Sequence, residues 1–220
     1  VRALEACSRA DVEVCIYSGR RQSSVFDASR LIGATAYVFE LGCGLVVDGE
    51  LEWLTGDVVP SAERGSIFDQ IEASGAPALL LSHFAGRLEY HTPWSLGREV
   101  SHLFRGDLDL AEAAAVLSDA GLGWLRLVDN GVVVAHAEQM PGLPIVKAYH
   151  LIPAAASKAR GVARHMQARG YAPEDCIAVG DSHEDMDVAP AVGAFWLVAN
   201  ALDRDPELEP EAAGRAGVRI

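Results

Sequence analysis

Apolar and polar positions alternate in two different rhythms along this chain. VRALEACSRA reads as the end of a helix, and VEVCIYSG as a buried strand that breaks into a glycine-containing loop. A helix is predicted over about 23–32, a second strand over AYVFELG, and a hairpin over GLVVDGELEW, because Asp48-Gly49 tolerates the positive φ of a tight reverse turn. From about residue 56 to residue 150 the pattern changes. A helix over 62–73 leads to ALLLSHF, then come EVSHLF, a helix near 110–120, and WLRLVDNGVVVAHAE, read as a hairpin with Asn130-Gly131 at its turn. After these, VKAYHLIP is a strand, 157–169 a helix, and CIAVGD and AFWLVAN further strands, so strand and helix alternate again as in a parallel sheet. DRDPELEPEAAG reads as a polar loop or tail.

The simplest architecture is an α/β parallel-sheet domain made from residues 1–55 and 151–220, with an α+β unit over 56–150 inserted on an antiparallel sheet. Composition narrows the partners. The chain has 220 residues, 50% of them hydrophobic, which excludes a disordered chain and suffices for one or two packed domains. Its 18 basic and 31 acidic residues give a net charge of −13, which argues against a nucleic-acid backbone or an anionic membrane as partner. Local positive charge still admits a small anionic ligand. No apolar run approaches the roughly 18 residues that span a bilayer, and the start lacks the basic-then-apolar order of a signal peptide, so a cytoplasmic location is the default expectation. Cys7, Cys15, Cys43 and Cys176 are widely spaced, with Cys15 and Cys176 inside apolar runs, and are expected to be reduced core residues.

Three stretches sit where an open parallel sheet gathers its functional residues, beyond the C-terminal strand ends. In YSGR, the Ser18 hydroxyl and nearby backbone N–H groups can hold a phosphate oxygen, although Ser-Gly after a strand is also an ordinary turn. SKARGV places Lys158 at the opening of a helix, where a lysine is often a solvated charge. In GDSHED, Asp181 and Asp185 are four apart; a helix starting after the strand lets both converge on a hard cation such as Mg²⁺, or merely places acids at a helix N-terminus.

Taken in order, Ser18-Gly19-Arg20, Lys158 after an insertion, and the run from Gly180 to Asp185 resemble the second, third and fourth motifs of the haloacid dehalogenase superfamily of phosphatases. The insertion resembles the cap of the branch that holds mannosyl-3-phosphoglycerate, sucrose-phosphate and Cof-type phosphatases. The resemblance implies a Rossmann-like core under an α+β cap and a Mg²⁺-dependent phosphomonoesterase for a small phosphorylated metabolite. By position, Ser18, with Gly19 and Arg20, would bind the phosphoryl group, Lys158 would neutralise its charge, and Asp181 and Asp185 would hold the metal. Ser182 would support the loop, and Glu184 stands where many relatives have Asn, which leaves its role open.

The family's first motif, an apolar strand ending in D-x-D-G-T that supplies the nucleophile, does not precede Ser18. Asp107-Leu108-Asp109 lies in the insertion without the Gly-Thr turn and reads instead as a charged turn with Asp109 as a helix N-cap. In the sheet that the resemblance implies, the absent strand lies between VCIYS and CIAVG. An empty slot would strip both of partners, at about 1–3 kcal/mol per buried unpaired group, against a folding stability of about 5–15 kcal/mol. The expectation is therefore about 20 further residues upstream, an ordinary strand, loop and helix. In the insertion, His83, Arg87, His91, Arg98, His102 and His150 are candidate substrate contacts, Trp53 and Trp94 candidate stacking platforms, and Arg20 and Arg21 follow the phosphate station directly. Two other readings are a non-catalytic relative that binds a phosphorylated ligand or a partner, and a nucleotide-binding protein, which the single glycine of SGRRQSS fits poorly.

Overall fold

A computed structural model describes residues 2–133, 140 and 142–220. The chain begins with α1 (Arg2–Arg9), β1 (Ile16–Tyr17), α2 (Gln22–Ile32), β2 (Ala36–Phe39), β3 (Gly44–Val47) and β4 (Glu50–Trp53). The four strands form one sheet in chain order, parallel between β1 and β2 and antiparallel beyond. Asp48 (φ 52°) and Gly49 (φ 88°) close the β3–β4 hairpin as the Asp-Gly pair predicts.

The insertion contributes α3 (Ile67–Ala73), α4 (Ala76–His83), β5 (Leu88–Tyr90), β6 (His102–Gly106), α5 (Leu110–Asp119), β7 (Leu125–Val132) and β8 (Lys147–Pro153). ALLLSHF is thus part of a helix, α4, which Pro77 opens. Its strands make an antiparallel sheet in the order β5-β6-β8-β7. Asp109 caps α5, its carboxylate accepting from the backbone N–H of Ala111 (2.7 Å) and Glu112 (3.3 Å). The chain ends with α6 (Lys158–Arg169), β9 (Ile177–Gly180), α7 (His183–Met186), β10 (Ala194–Leu197), α8 (Ala199–Leu202), α9 (Leu208–Gly214) and β11 (Val218–Arg219), with β11, β10 and β9 in a parallel sheet. Among the described residues no helix is long and apolar enough to cross a membrane.

The structure corrects several expectations. Asn130-Gly131 is not a hairpin turn: both residues lie inside β7, at a register shift between Asp129 and Val132. Gly131 (φ 90°) spends its conformational freedom on a bulge, closed by its N–H donating to Asp129 Oδ1 at 2.8 Å. The rest of the expected hairpin, residues 134–138, lies outside the described residues. VKAYHLIP belongs to the antiparallel sheet as β8, between β6 and β7, so this strand crosses the expected boundary at 150/151. A nearly continuous apolar run marks a central strand of either kind of sheet, and periodicity alone does not choose between them. DRDPELEPEAAG is no tail, because α9 turns Leu208 and Ala212 into a core with Phe195 and Leu197.

VEVCIYSG pairs over two residues only. Its strand β1 faces β9 across an apolar slot of about 390 Å³ lined by Cys15, Tyr17, Met166, Ile177 and Val192 among others. No ladder joins β1 to β9 among the described residues; the Tyr17 hydroxyl donates across the slot to Val179 O at 2.8 Å. Ile177 and Val179 are 70% and 51% exposed. All four cysteines are free, but only Cys43 is buried; Cys15 and Cys176 are half-buried along the slot.

The first sheet and the insertion share one core. Leu41 and Cys43 pack in a single buried cluster with Ile67, Phe84, Phe104, Tyr149 and Leu151. Three successive residues with positive φ, Glu40 (45°), Leu41 (61°) and Gly42 (89°), turn the chain from β2 to β3. A Cβ on Gly42 would stand 1.9 Å from the Ser157 carbonyl oxygen at the start of α6, so both its conformation and its bareness are required. At the other end of α6, Arg169 grips Asp48 through two nitrogens (2.6 and 2.9 Å) and donates to Glu13 (3.1 Å).

Two outcomes follow for stability. Gly42→Ala is expected to destabilise the protein by about 3 kcal/mol, read from the midpoint of urea unfolding. Hydrogen bonding from Arg169 holds the Asp48 carboxyl below its ordinary value; at Glu13 burial pushes upward, but the hydrogen bonds from Tyr171 and Arg169 outweigh it and the carboxyl is lowered too. A carboxyl lowered by folding contributes stability above its unfolded value and loses it as pH falls through the folded one. Melting temperature should therefore drop below the ordinary carboxylate range, and the acid limb should flatten in Arg169→Met, with lower stability at neutral pH.

Candidate active site

The ends of β1 and β9 and the start of α6 meet below one face of the antiparallel sheet. They border a cleft of about 480 Å³ lined by Ser18, Gly19, Arg20, Lys158, Asp181 and Asp185 from below and by His91, Trp94, Arg98, Asn130 and His150 from above. All six residues singled out by the sequence thus share one space.

Ser18 is sewn to β2 through its N–H on Val38 O (3.0 Å), and its carbonyl accepts from Leu41 N–H (3.0 Å). Its hydroxyl accepts from the Arg20 N–H at 3.2 Å. A Cβ on Gly19 would come within 3.2 Å of Asn130 Oδ1 and 3.4 Å of His150 Nε2, so glycine lets the insertion close down on this loop. Arg98 completes the contact: Nη1 donates to Gly19 O and to Ser101 Oγ, both at 3.0 Å, and Nε donates to Trp94 O at 3.0 Å. Beneath it, the wholly buried Glu40 accepts from three backbone N–H groups of the insertion, those of Glu99 (2.7 Å), Val100 (3.3 Å) and Ser101 (2.6 Å).

Lys158 is not the solvated lysine its position also allowed. Ser157 caps α6 by accepting from Arg160 N–H (3.1 Å), which aims the first helical side chain inward, and Lys158 is 4% exposed. Its ammonium donates to Asp185 Oδ1 at 2.6 Å. The other oxygen of Asp185 accepts from the Asp181 N–H at 3.0 Å. Asp185 folds back this closely because Gly180 has no side chain; a Cβ there would stand 2.3 Å from that of Asp185. Ser182 supports the loop by accepting from Asp185 N–H (3.3 Å). The Asp181 carboxylate is half-exposed, with Arg204 at 3.4 Å.

Asp181 and Asp185 offer hard oxygen donors, and Mg²⁺ usually takes one or two carboxylates with waters and substrate phosphate completing its shell, so the pair fits that ion. Among the described residues no group of three or more candidate ligands forms a closed cage. Glu184 instead braces the insertion: it is buried and accepts from Arg126 Nη2 on β7 (3.0 Å), which also donates to Ala156 O (3.0 Å).

Other candidates lie elsewhere. His83 pairs with Glu112, Arg87 sits over the Phe84 ring, His102 stacks on Phe68, and Trp53 packs edge-on against Phe39. Arg21 reaches the insertion through Leu96 O (3.2 Å). Asp107 and Asp109 do not line the cleft. The sequence singles out Asn130 only as a turn residue, and Arg126 and Glu40 not at all. An Asn-Gly pair, which signals any positive-φ site and not only a turn, was the one available clue to Asn130.

No protein-family model matches the chain. It is similar to a phosphoglycolate phosphatase of Halorubrum lacusprofundi, 28% identical over 201 residues that make up 91% of this chain and 76% of that protein. Among solved structures it superposes on the sucrose-phosphatase of Synechocystis sp. PCC6803 in complex with sucrose and phosphate, with a TM-score of 0.67 and 15% identity over 99% of this chain and 82% of that one. A subclass IIB sugar phosphatase of the haloacid dehalogenase superfamily gives a TM-score of 0.55 at 14% identity, covering 92% of this chain and 82% of that one.

Burial, and then the nearby charges of Arg98 and Lys158, push the His150 imidazole well below its ordinary pKa. Its ring resonances should stay those of a neutral imidazole from about pH 8 to about pH 5, where a free histidine titrates. NMR titration of the His150 ring checks this.

Proposed function

We propose that this chain, which has the fold of the haloacid dehalogenase superfamily phosphatases, acts as a Mg²⁺-dependent phosphomonoesterase on a phosphorylated sugar or related small metabolite. The observation that carries the reading is the convergence of Ser18, Lys158 and the Asp181–Asp185 pair, from distant parts of the chain, on one cleft. The Ser18 hydroxyl and adjacent loop amides hold the phosphoryl oxygens. Lys158 supplies a buried positive charge for a group that gains or shifts negative charge in transfer. Asp181 and Asp185 hold Mg²⁺, which supplies charge neutralisation and orientation when bound. The sheet face above, with Leu103 and Ala148, covers the leaving group and limits water, and Trp94, between β5 and β6, borders the cleft beside it.

The nucleophile in this reading is an aspartate on a segment upstream of Val1. It attacks phosphorus as the ester P–O bond breaks and the alcohol leaves with a proton from the motif's second aspartate, and water then cleaves the aspartyl-phosphate to inorganic phosphate and the free carboxylate. Support comes from the slot: β1 and β9 present edges to each other across it, and a strand laid there parallel to both would end between Ser18 and Asp181. The four free cysteines suit a reducing compartment, and we assign the cytoplasm.

Intact mass and N-terminal sequencing of the protein from its source test the nucleophile; a natural start at Val1 would leave a ligand-binding protein without turnover. In protein that carries the segment, Asp181→Asn should abolish Mg²⁺-dependent hydrolysis of small phosphate esters with little loss of folding, and retained activity would remove Asp181 from the site. Lys158→Ala should lower kcat by about 10³-fold, whereas a change in KM alone would make it a binding residue.

A further inference from the structure

Arg98 lies between β5 and β6, outside the three stretches that carry the phosphatase reading, yet its side chain is 6% exposed and its guanidinium is aimed at the loop that follows β1. Two of its three hydrogen bonds go to backbone carbonyls, those of Gly19 and Trp94. The carbonyl that matters is that of Gly19, held at 3.0 Å. In a trans peptide the C=O and the N–H of one unit point in opposite directions, so fixing Gly19 O also fixes the Arg20 N–H. That N–H reaches the Ser18 hydroxyl at 3.2 Å. A serine hydroxyl has two acceptor lone pairs and one O–H; once it accepts from Arg20, its own proton is left to be donated elsewhere. A cation on the carbonyl end of such a relay polarises every link in it.

We propose that Arg98 is a positioning residue for Ser18, acting through the Gly19–Arg20 peptide to set the serine hydroxyl as a donor into the cleft. Glu40 makes this possible. Its carboxyl group lies 4.0 Å from Arg98 and takes up the N–H groups of residues 99–101, which fixes the backbone from which Arg98 reaches out. Ser101 adds a second hold, its hydroxyl shared between Arg98 (3.0 Å) and His150 (3.1 Å). The inference rests on the reading of Ser18 as a phosphoryl-binding residue. It ties the insertion to the phosphate loop by a bond that orients rather than one that touches the ligand.

The test is a double-mutant cycle on binding, so it needs no turnover. Inorganic phosphate is titrated calorimetrically, with Mg²⁺ present, into the wild type, Ser18→Ala, Arg98→Lys and the double variant. Lysine keeps the charge beside Glu40 but cannot reproduce the fork. Each single change should weaken binding about tenfold, and the double variant should bind within about twofold of Ser18→Ala. In Arg98→Lys the Arg20 amide proton should also move upfield and exchange faster in NMR spectra, a change that a general loss of stability would not confine to one amide. Should Arg98→Lys melt below the working temperature, Arg98→Met serves in the same cycle. Effects that multiply to about a hundredfold, or an unchanged Arg20 amide, would overturn the relay and leave the phosphatase reading standing. Absence of any phosphate binding by the wild type would overturn both.

Discussion

A lysine and an aspartate face each other at 2.6 Å with almost no access to water, and the site is organised around them. Neither charge is tolerable there alone; breaking such a pair by removing one partner typically costs about 3–5 kcal/mol. The start of α6 must therefore be brought against the loop after β9, and the local sequence is arranged to allow it. Ser157 and Ser182 each cap a helix start, Gly42 lets α6 begin hard against the β2–β3 turn, and Gly180 leaves room for Asp185 to bend back. Asp185 then anchors Asp181 by accepting its N–H, so the half-exposed carboxylate at the cleft inherits its place from the buried one.

The two walls of the cleft are braced against each other by polar contacts as well as by the shared core. Glu40 reaches from the first sheet into the insertion, Arg98 reaches back to Gly19 in the loop after β1, and Arg126 on β7 pairs with Glu184 on α7. These contacts are buried or half-buried, where an unmade hydrogen bond is expensive. The insertion thus sets the width of the cleft in this conformation. Gly19, pressed between Asn130 and His150, shows how narrow the tolerance is.

What was legible in the sequence is what local signals encode. Strand ends followed by helix starts are marked by Ser18-Gly19, Ser157-Lys158 and Gly180-Asp181-Ser182, and the resemblance rests on the same residues. The Asp48-Gly49 hairpin and the Asp109 cap were readable for the same reason. Positions defined by distant partners were not. β8 belongs to the antiparallel sheet because β6 and β7 flank it, Asn130 reaches the cleft because a bulge turns it there, and Glu184 was ambiguous until Arg126 came opposite it. Glu40 left no trace, since a glutamate after an apolar strand gives no hint that it will be buried under the backbone of residues 99–101.

Charge balance within the cleft bears on the reaction class. Arg20, Arg98 and Lys158 against Asp181 and Asp185, with His150 neutral, leave three positive charges minus two negative, or one positive charge. Two of those cations are already engaged, Arg98 on carbonyls and Lys158 on Asp185. A phosphate monoester brings about two negative charges at neutral pH, and the attacking carboxylate of the proposed mechanism would add one more. The filled cleft would then carry two net negative charges in a chain whose overall charge is already −13. In the proposed reading Asp181 and Asp185 would hold a divalent cation that brings that sum to zero, and a neutral substrate would need none. This balance supports the proposed reading of a phosphate ester bound together with Mg²⁺.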